Sequence, residues 1–327
     1  MIVDAHRHVI VPELTARTVP EAWRPALRSA GGRTVLGFRG RDINSVTGEF
    51  SDIDVILAGA AAAGVSHLLL SPWINLVPVD AAPAEAQLVC ELQNEALARL
   101  VAAHPQLSAV GAVPLQDPGQ AARELPGLAG AGLAGVEIPS SVAGRYLGDD
   151  FFLPFWEAAA GTGALVFIHP ATRGFGIEAL DGYYLWNSVG NPLETAVTAA
   201  HIAVAGVLER FPGLHVLLAH GGGALPVLRG RLRRAYAVRP EAAARTAHGP
   251  DWSLRRFYYD SVTHDAALLA DLAGYAGPGQ ILLGSDQPFD MGSDNCVAEV
   301  RSLGLGAGED LILGGNASRL LATAAHA

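Results

Sequence analysis

The chain has 327 residues, of which 50% are hydrophobic, so it can form the core of one large α/β barrel or of two smaller domains. Its formal net charge of −10 argues against nucleic acid and anionic membrane as partners, and a small acidic substrate would need a local cationic pocket. Cys90 and Cys296 lie far apart without a metal-like spacing, which indicates a reducing compartment.

Apolar, β-branched runs alternate along the chain with longer helix-like segments, a pattern typical of βα units around a parallel sheet. Strands are predicted near 2–5, 65–70, 108–113, 134–138, 165–168, 215–219, 257–260 and 280–284. Helices are predicted near 54–63, 83–103, 118–131, 153–162, 193–211, 224–238, 265–275, 295–303 and 316–322. These units predict a (β/α)8 TIM barrel, formed as a single domain by residues 1–327. Segment 9–51 departs from the repeat, and we expect an insertion after strand 1 that covers the barrel mouth.

We expect neither a signal peptide at the N-terminus nor a membrane span in the apolar stretch 55–79. The N-terminus lacks a basic segment followed by an apolar core, so we expect no cleaved signal and a cytoplasmic location. Stretch 55–79 contains no Asp, Glu, Lys or Arg, but Gly64, Pro72 and Pro78 interrupt it. We therefore expect helix, turn, strand and loop there, and no membrane span.

The first strand runs into Asp4-Ala5-His6-Arg7-His8. Residues two apart on a strand share a face, so the side chains of Asp4, His6 and His8 project the same way. Two imidazoles so placed can chelate one metal ion. We expect Asp4 to support the ligands from behind or to lie in the barrel interior rather than to bind the ion.

Other potential ligands also stand where a predicted strand ends. His169 ends the fifth strand, His220 ends the sixth and Asp286 follows the eighth. In a barrel of this class the C-terminal strand ends share one rim, where the reacting groups lie. Imidazoles and a carboxylate suit Zn²⁺, with Mn²⁺ or Fe²⁺ as alternatives. The sequence therefore predicts one metal site on this rim.

Further motifs accompany these residues. They are Val189-Gly190-Asn191-Pro192-Leu193-Glu194-Thr195, Ala219-His220-Gly221-Gly222-Gly223, Arg239-Pro240, His264-Asp265, Gly284-Ser285-Asp286-Gln287-Pro288-Phe289 and Gly315-Asn316-Ala317. Together with the histidines they resemble the amidohydrolase superfamily. More narrowly, the chain resembles the branch that contains aminocarboxymuconate-semialdehyde decarboxylase and related aromatic-acid decarboxylases. The resemblance spans nearly the whole chain.

The resemblance implies a role for each residue of the site. It makes His6, His8, His169 and Asp286 the metal ligands, listed here by their numbers in this chain. It makes His220 the catalytic acid or base beside the ion, and Asp286 a second candidate for proton delivery. Relatives with two metals use a carbamylated lysine after strand 4, whereas this chain has no lysine, so a single ion is favoured. Glu137, at the end of the fourth strand, is the alternative bridge to a second ion.

The resemblance also implies substrate-binding residues. Arginine suits a carboxylate because its planar fork donates two parallel hydrogen bonds. The candidate in the insertion is Arg41, or failing that Arg39. Arg231 and Arg239 follow the glycine run, where Arg231 and its neighbours can instead form a solvated helix face. Trp186 can stack on a planar substrate or pack in the core. His264 follows the seventh strand on the same rim, where it either contributes to the substrate pocket or only packs against its neighbours.

The activity implied is non-oxidative decarboxylation of an aromatic or unsaturated carboxylic acid by a homodimeric enzyme. The alternative is a mononuclear metal-dependent hydrolase or lactonase, in which metal-activated hydroxide attacks a carbonyl. The ligand set is shared by both chemistries, so it does not separate them. A non-catalytic metal-binding scaffold is a third hypothesis, and retention of every ligand argues against it.

Overall fold

The computed structural model describes residues 1–16, 18–30, 33–39, 41–43 and 50–324. The strands in chain order are β1 (Val3–Val9), β2 (Ala26–Ala30), β3 (Arg33–Phe38), β4 (Arg41–Ile43), β5 (His67–Pro72), β6 (Leu107–Ala109), β7 (Gly135–Pro139), β8 (Ser141–Val142), β9 (Arg145–Tyr146), β10 (Leu165–His169), β11 (His215–Leu218), β12 (Tyr258–Asp260) and β13 (Ile281–Leu282). Parallel pairing arranges β1, β5 and β6 in one sheet and β7, β10, β11, β12 and β13 in a second. These strands lie buried in the core, as expected for parallel strands covered on both faces.

Helices lie between the parallel strands and after the last of them. They are α1 (Ile53–Ala62), α2 (Pro83–Ala103), α3 (Pro118–Gly130), α4 (Leu153–Thr162), α5 (Asn191–Val204), α6 (Val207–Arg210), α7 (Leu225–Val238), α8 (Pro250–Leu254), α9 (Ala266–Ala276), α10 (Cys296–Arg301), α11 (Ala307–Asp310) and α12 (Asn316–Ala324). Across the described part of the chain, none of them combines the length and apolar character that a membrane crossing requires.

Backbone hydrogen bonds join the two parallel sheets at both margins. On one side the amide of Ala134 donates to the carbonyl of Ala109 over 2.8 Å, next to a bridge between Gly111 and Val136. On the other side the amide of Ala5 donates to the carbonyl of Leu283 over 2.8 Å. The strand that carries His6 and His8 is therefore bonded directly to the strand that precedes Asp286.

The predicted strands and helices are found within a few residues of their positions, with one helix as the exception. The prediction of one helix over 193–211 is wrong, because α5 and α6 are separate and Gly206 stands between them at φ 69°. A Cβ at Gly206 would lie 2.4 Å from the carbonyl oxygen of Arg245, so only glycine fits there. The left-handed backbone ends the first helix and redirects the chain.

Segment 9–51 contains a small sheet that the sequence did not predict. In it β2, β3 and β4 pair antiparallel. Buried Trp23, Leu36 and Phe50 join the main hydrophobic core. The Phe50 ring lies 5.2 Å from that of Phe289, which is 5.2 Å from the His8 ring. The end of this segment thus packs beside the histidines, while the side chain of Arg41 lies outside what the structure describes.

Candidate metal centre

Five predicted site residues converge at the C-terminal ends of the parallel strands. They are His6 and His8 on β1, His169 at the end of β10, His220 after β11 and Asp286 after β13. The Nε2 atoms of His6 and His8 are 3.1 Å apart, and each lies 3.3 Å from Oδ1 of Asp286. The His169 ring is 4.8 Å from that of His8 and 5.3 Å from that of His6. Nε2 of His220 lies 3.3 Å from Oδ2 of Asp286.

The partners of the Nδ1 atoms fix the tautomers of two rings. Nδ1 of His8 is 3.1 Å from the carbonyl oxygen of Pro72, and Nδ1 of His169 is 2.9 Å from that of Pro170. A carbonyl can only accept, so both Nδ1 atoms carry the proton. The Nε2 atoms of these rings therefore present lone pairs. This arrangement, with the second ring nitrogen held by an acceptor, is that of metal-binding histidines.

The same arrangement holds the ring of His6. Its Nδ1 donates to Oδ2 of Asp260 over 2.5 Å, and its Nε2 faces the cluster. Burial lowers the pKa of His6, but the charges of Asp286 and Asp260 outweigh burial and raise that pKa to about 10. The carboxylates of Asp286 and Asp260 thus stabilise a positive charge at the centre.

These residues fit a divalent metal ion. Nε2 of His169 and Oδ1 of Asp286 are buried and have no hydrogen-bond partner among the described residues. Lone pairs and a carboxylate oxygen that face one another repel, and a cation between them removes that repulsion. Imidazole nitrogen and carboxylate oxygen are ligands that Zn²⁺ and its neighbours accept.

Geometry alone leaves the set of ligands open. Nitrogen and oxygen atoms of His6, His169, His220 and Asp286 lie within 4.8 Å of one another, and those of His8, Glu137 and His169 form a second group. His220 is therefore near enough to be a ligand as well as an acid or base. Its role and those of the other ligands stay predictions.

Asp260 is a buried residue beside the cluster to which the sequence analysis assigned no role. Besides His6, it accepts the amide of His220 over 2.8 Å and that of Gly221 over 2.7 Å. It therefore connects a predicted ligand to the backbone of the predicted acid or base, where His220 has a left-handed φ of 56°. Asp260 ends the predicted seventh strand, so the strand-end rule that identified His169 could have identified it too.

Asp4 connects β1 to the loop that carries Asp286. It accepts the amide of Ser285 over 3.0 Å and the Ser285 hydroxyl over 2.5 Å. It is buried, and it belongs to neither group of potential ligands. This placement agrees with the expected interior position of Asp4.

Glu137 lies deep beside the cluster. Its Oε1 is 3.8 Å from Nδ1 of His8, and neither of its carboxyl oxygens has a hydrogen-bond partner among the described residues. Burial raises the pKa of Glu137 well above its ordinary value, while the charge of His6 acts in the opposite direction. Glu137 belongs to the second group of potential ligands, with His8 and His169, and its role as a bridge to a second ion stays a prediction.

The predicted substrate-binding residues lie in varied surroundings. Trp186 is half-buried and begins a π-helical turn over Trp186–Gly190, and the Arg173 guanidinium lies 3.7 Å from its ring centre. Arg231, Arg239 and His264 are exposed. Arg239 is ion-paired with Glu241. The roles of these four residues stay predictions.

Glu194 organises the loop that follows His169. This buried carboxylate accepts the amides of Ala171 (2.9 Å), Thr172 (2.9 Å) and Gly174 (2.5 Å), and the hydroxyl of Ser140 (2.8 Å). Both carboxylate oxygens accept hydrogen bonds, and an ionised carboxylate has no hydrogen to donate. Glu194 therefore fixes the backbone between β10 and the π-helical turn.

Replacing Glu194 with glutamine is expected to destabilise this loop and the fold. The amide NH2 would face backbone N–H donors, so buried donors would lose their acceptor, at a cost of about 2–4 kcal/mol. The midpoint of urea denaturation measures the change. Glu157→Gln, at an exposed position on α4, is the matched control. Equal midpoints for the two variants would contradict the role given to Glu194.

Comparisons with known proteins show which family the chain resembles. A family model described as Amidohydrolase matches residues 3–322. The chain is 28% identical to 2-amino-3-carboxymuconate-6-semialdehyde decarboxylase of Dictyostelium discoideum, over 98% of this chain and 91% of that protein.

Two solved structures are similar in fold. The 5-carboxyvanillate decarboxylase of Sphingomonas paucimobilis superimposes with a TM-score of 0.84, at 24% identity and 98% coverage of both chains. A dihydroxybenzoic acid decarboxylase of Polaromonas sp., solved with bound manganese and 2-nitroresorcinol, superimposes with a TM-score of 0.78. It is 23% identical and covers 98% of this chain and 96% of its own. From the family match over nearly its whole length, the chain belongs to the amidohydrolase family.

Proposed function

We propose that the protein is a metal-dependent non-oxidative decarboxylase of a small aromatic or unsaturated carboxylic acid. The observation that carries the proposal is the convergence of the His6, His8 and His169 rings with the Asp286 carboxylate beside His220. The relative from Dictyostelium discoideum, which covers 98% of this chain, is a decarboxylase and supports the choice of reaction.

In this proposal His6, His8, His169 and Asp286 hold the ion. When bound, the ion supplies Lewis acidity that polarises a substrate oxygen. Asp260 accepts the hydrogen on Nδ1 of His6, so Nε2 is the nitrogen of this ring that would face the ion. Pro72 and Pro170 do the same for His8 and His169 through their carbonyl oxygens.

His220 is assigned the proton transfer. When the bond between the substrate carbon and its carboxyl group breaks, CO2 leaves and the bonding pair stays on the carbon. That carbon then takes one proton. Nε2 of His220 lies 3.3 Å from Asp286, so the proton donor stands beside the group that holds the ion.

The decisive test measures CO2 release by the purified protein. Metal-depleted protein is reloaded with Zn²⁺ or Mn²⁺ and offered 2-amino-3-carboxymuconate-6-semialdehyde, 5-carboxyvanillate and dihydroxybenzoates. We expect release with at least one acid, and a loss of at least ~100-fold after chelation, since Lewis-acid stabilisation of the transition state amounts to several kcal/mol. Hydrolysis of esters or lactones without CO2 release from any acid would instead establish the hydrolase alternative.

The proposal extends to finer features of the protein. The two parallel sheets are taken as the two arcs of one closed (β/α)8 barrel, since backbone bonds join them at both margins. Segment 9–51 is taken as an insertion over the mouth of that barrel. Zinc as the ion, a homodimer and a cytoplasmic location are retained as predictions from the sequence.

A further inference from the structure

A hydrogen bond joins the loop that follows His169 to the loop that follows Asp286. The Tyr184 hydroxyl donates to Oδ1 of Asp290 over 3.2 Å. Partial burial and then the charge of Asp290 raise the pKa of Tyr184 to about 12, so this hydroxyl keeps its hydrogen at neutral pH. The bond therefore connects the loops after β10 and β13 under ordinary conditions.

This bond crosses the rim instead of linking two adjacent strands. The order in the sheet is β13, β12, β11 and β10, so two strands lie between those that the bond connects. Neighbouring strands are about 4.8 Å apart, which separates β10 from β13 by roughly 14 Å along the sheet. His220 follows β11, and Asp260 ends β12. The two loops therefore meet over the part of the rim where these two residues lie.

The contact also lies close to the predicted metal ligands. Asp290 is preceded by Phe289, whose ring lies 5.2 Å from that of His8. The amide of Phe289 donates to the carbonyl of Asp286 over 3.3 Å, so a tight turn holds Asp290 beside that ligand. The charge of Asp286 also contributes to the raised pKa of Tyr184. Both partners of the hydrogen bond are therefore beside the centre.

His220 is the most exposed side chain of the cluster. The side chains of His6 and His8 are 0% exposed and that of Asp286 is 7% exposed, whereas that of His220 is 16% exposed. A ligand therefore reaches the centre most directly past His220. That is the side of the rim over which the two loops meet.

The flap, residues 175–185, has a fixed base and an exposed body. Just before it, the amide of Gly174 donates to buried Glu194 over 2.5 Å. Just after it, Gly190 touches Gly174, since a Cβ on Gly190 would lie 2.8 Å from the Cα of Gly174. Residues 176–179 and 181–184 are exposed. Displacing such a segment uncovers little buried surface, so the flap can open about its base at a low cost in free energy.

The backbone of the flap also favours opening. Tyr183 and Tyr184 have φ angles of 57° and 62°, in the left-handed region, and Phe175 has φ 62°. The Cβ crowds the backbone in this region, so non-glycine residues adopt it rarely and only where other contacts hold them there. The bond from Tyr184 to Asp290 is one such contact. The closed conformation therefore carries strain, which lowers the free energy needed to open the flap.

We propose that the hydrogen bond between Tyr184 and Asp290 is the latch of a flap that closes the metal centre and opens to admit a ligand past His220. Closure excludes bulk water and so strengthens the electrostatic interactions inside the centre. The proposal goes beyond the decarboxylase function, because a closing flap serves the hydrolase alternative equally well. Absence of CO2 release from every acid would overturn the decarboxylase function and leave the flap in place.

Chemical modification of His220 tests the proposal without metal or substrate. Metal-free protein is treated with diethyl pyrocarbonate, which modifies accessible imidazoles, and the rate at His220 is followed by peptide mass spectrometry. We expect Tyr184→Phe and Asp290→Ala each to raise that rate by about three- to tenfold, the shift in equilibrium that loss of one hydrogen bond produces. Tyr183→Phe, at a neighbouring side chain that is 96% exposed, is the matched control and should leave the rate unchanged.

Two internal comparisons separate release of the latch from general loosening of the fold. His215 is half-buried at the start of β11, the opposite end of the strand that His220 follows, and its rate should be the same in all variants. The double variant Tyr184→Phe/Asp290→Ala should react no faster at His220 than either single variant, because each removes the same bond. An unchanged His220 rate in Tyr184→Phe, an equal acceleration at His215, or additive effects in the double variant would overturn the proposal.

Discussion

Replacing His220 with alanine is expected to lower kcat for CO2 release by ~100-fold or more, the usual magnitude for a lost acid or base. The metal content should be retained, because the proposed ligands His6, His8, His169 and Asp286 stay in place. The acid that releases CO2 fastest serves as substrate, and metal content is measured by mass spectrometry after dialysis. His169→Ala, which removes a proposed ligand, should lose both the ion and the activity.

These two variants decide whether His220 binds the ion or transfers the proton. His220 stands within reach of the same ion as His6, His169 and Asp286, so it could be a ligand. If His220→Ala loses the ion as completely as His169→Ala, then His220 is a ligand and another residue transfers the proton. His104→Ala, at the end of α2, is the control for histidine replacement and should keep both ion and activity.

Replacing Asp260 with asparagine is expected to weaken metal binding by about 10- to 100-fold, the usual effect of removing a partner of a ligating histidine. Asp260 holds Nδ1 of His6 at 2.5 Å and accepts the amides of His220 and Gly221. Asparagine has only one side-chain oxygen that can accept, because its other terminal group is an NH2 that donates. The His6 ring therefore loses the partner that sets its tautomer. Competition with a chromophoric zinc chelator measures the affinity.

A second readout separates positioning from general destabilisation. Nitrogen-15 NMR of the histidine rings reports which nitrogen of His6 carries the proton, and Asp260→Asn should change it. Asp54→Asn, exposed in the first turn of α1, is the matched control and should alter neither affinity nor tautomer. An Asp260→Asn variant with wild-type zinc affinity and the same His6 tautomer would remove Asp260 from the proposed site.

The histidine cluster follows from local sequence patterns. Period-two alternation places His6 and His8 on one face of β1, and the apolar run 165–168 ends at His169. Parallel strands connected by helices all end at the same edge, so residues distant in sequence meet there. Knowing where each strand ends was therefore sufficient to predict the meeting of these side chains.

Other features of the site are contacts between residues far apart in sequence, which no local sequence pattern predicts. Asp4 and Ser285 are joined by hydrogen bonds across the margin between the sheets, and the tautomer of His8 depends on the carbonyl of Pro72. Both depend on the register between strands. The break at Gly206 differs, because a glycine inside a helical pattern is itself a local signal. The prediction of one helix over 193–211 was wrong because it did not treat this glycine as the end of a helix.

The sequence by itself determined the alternation of strands and helices and the residues that end each strand, because hydrophobic periodicity is a property of neighbours along the chain. Only the tertiary structure decided which carboxylate holds His6, which side chain fixes the loop with Arg173, and how segment 9–51 pairs its strands. Each of these is a contact between residues far apart in sequence. Such contacts are chosen by strand register and by the burial of polar groups, which act only once the chain has folded.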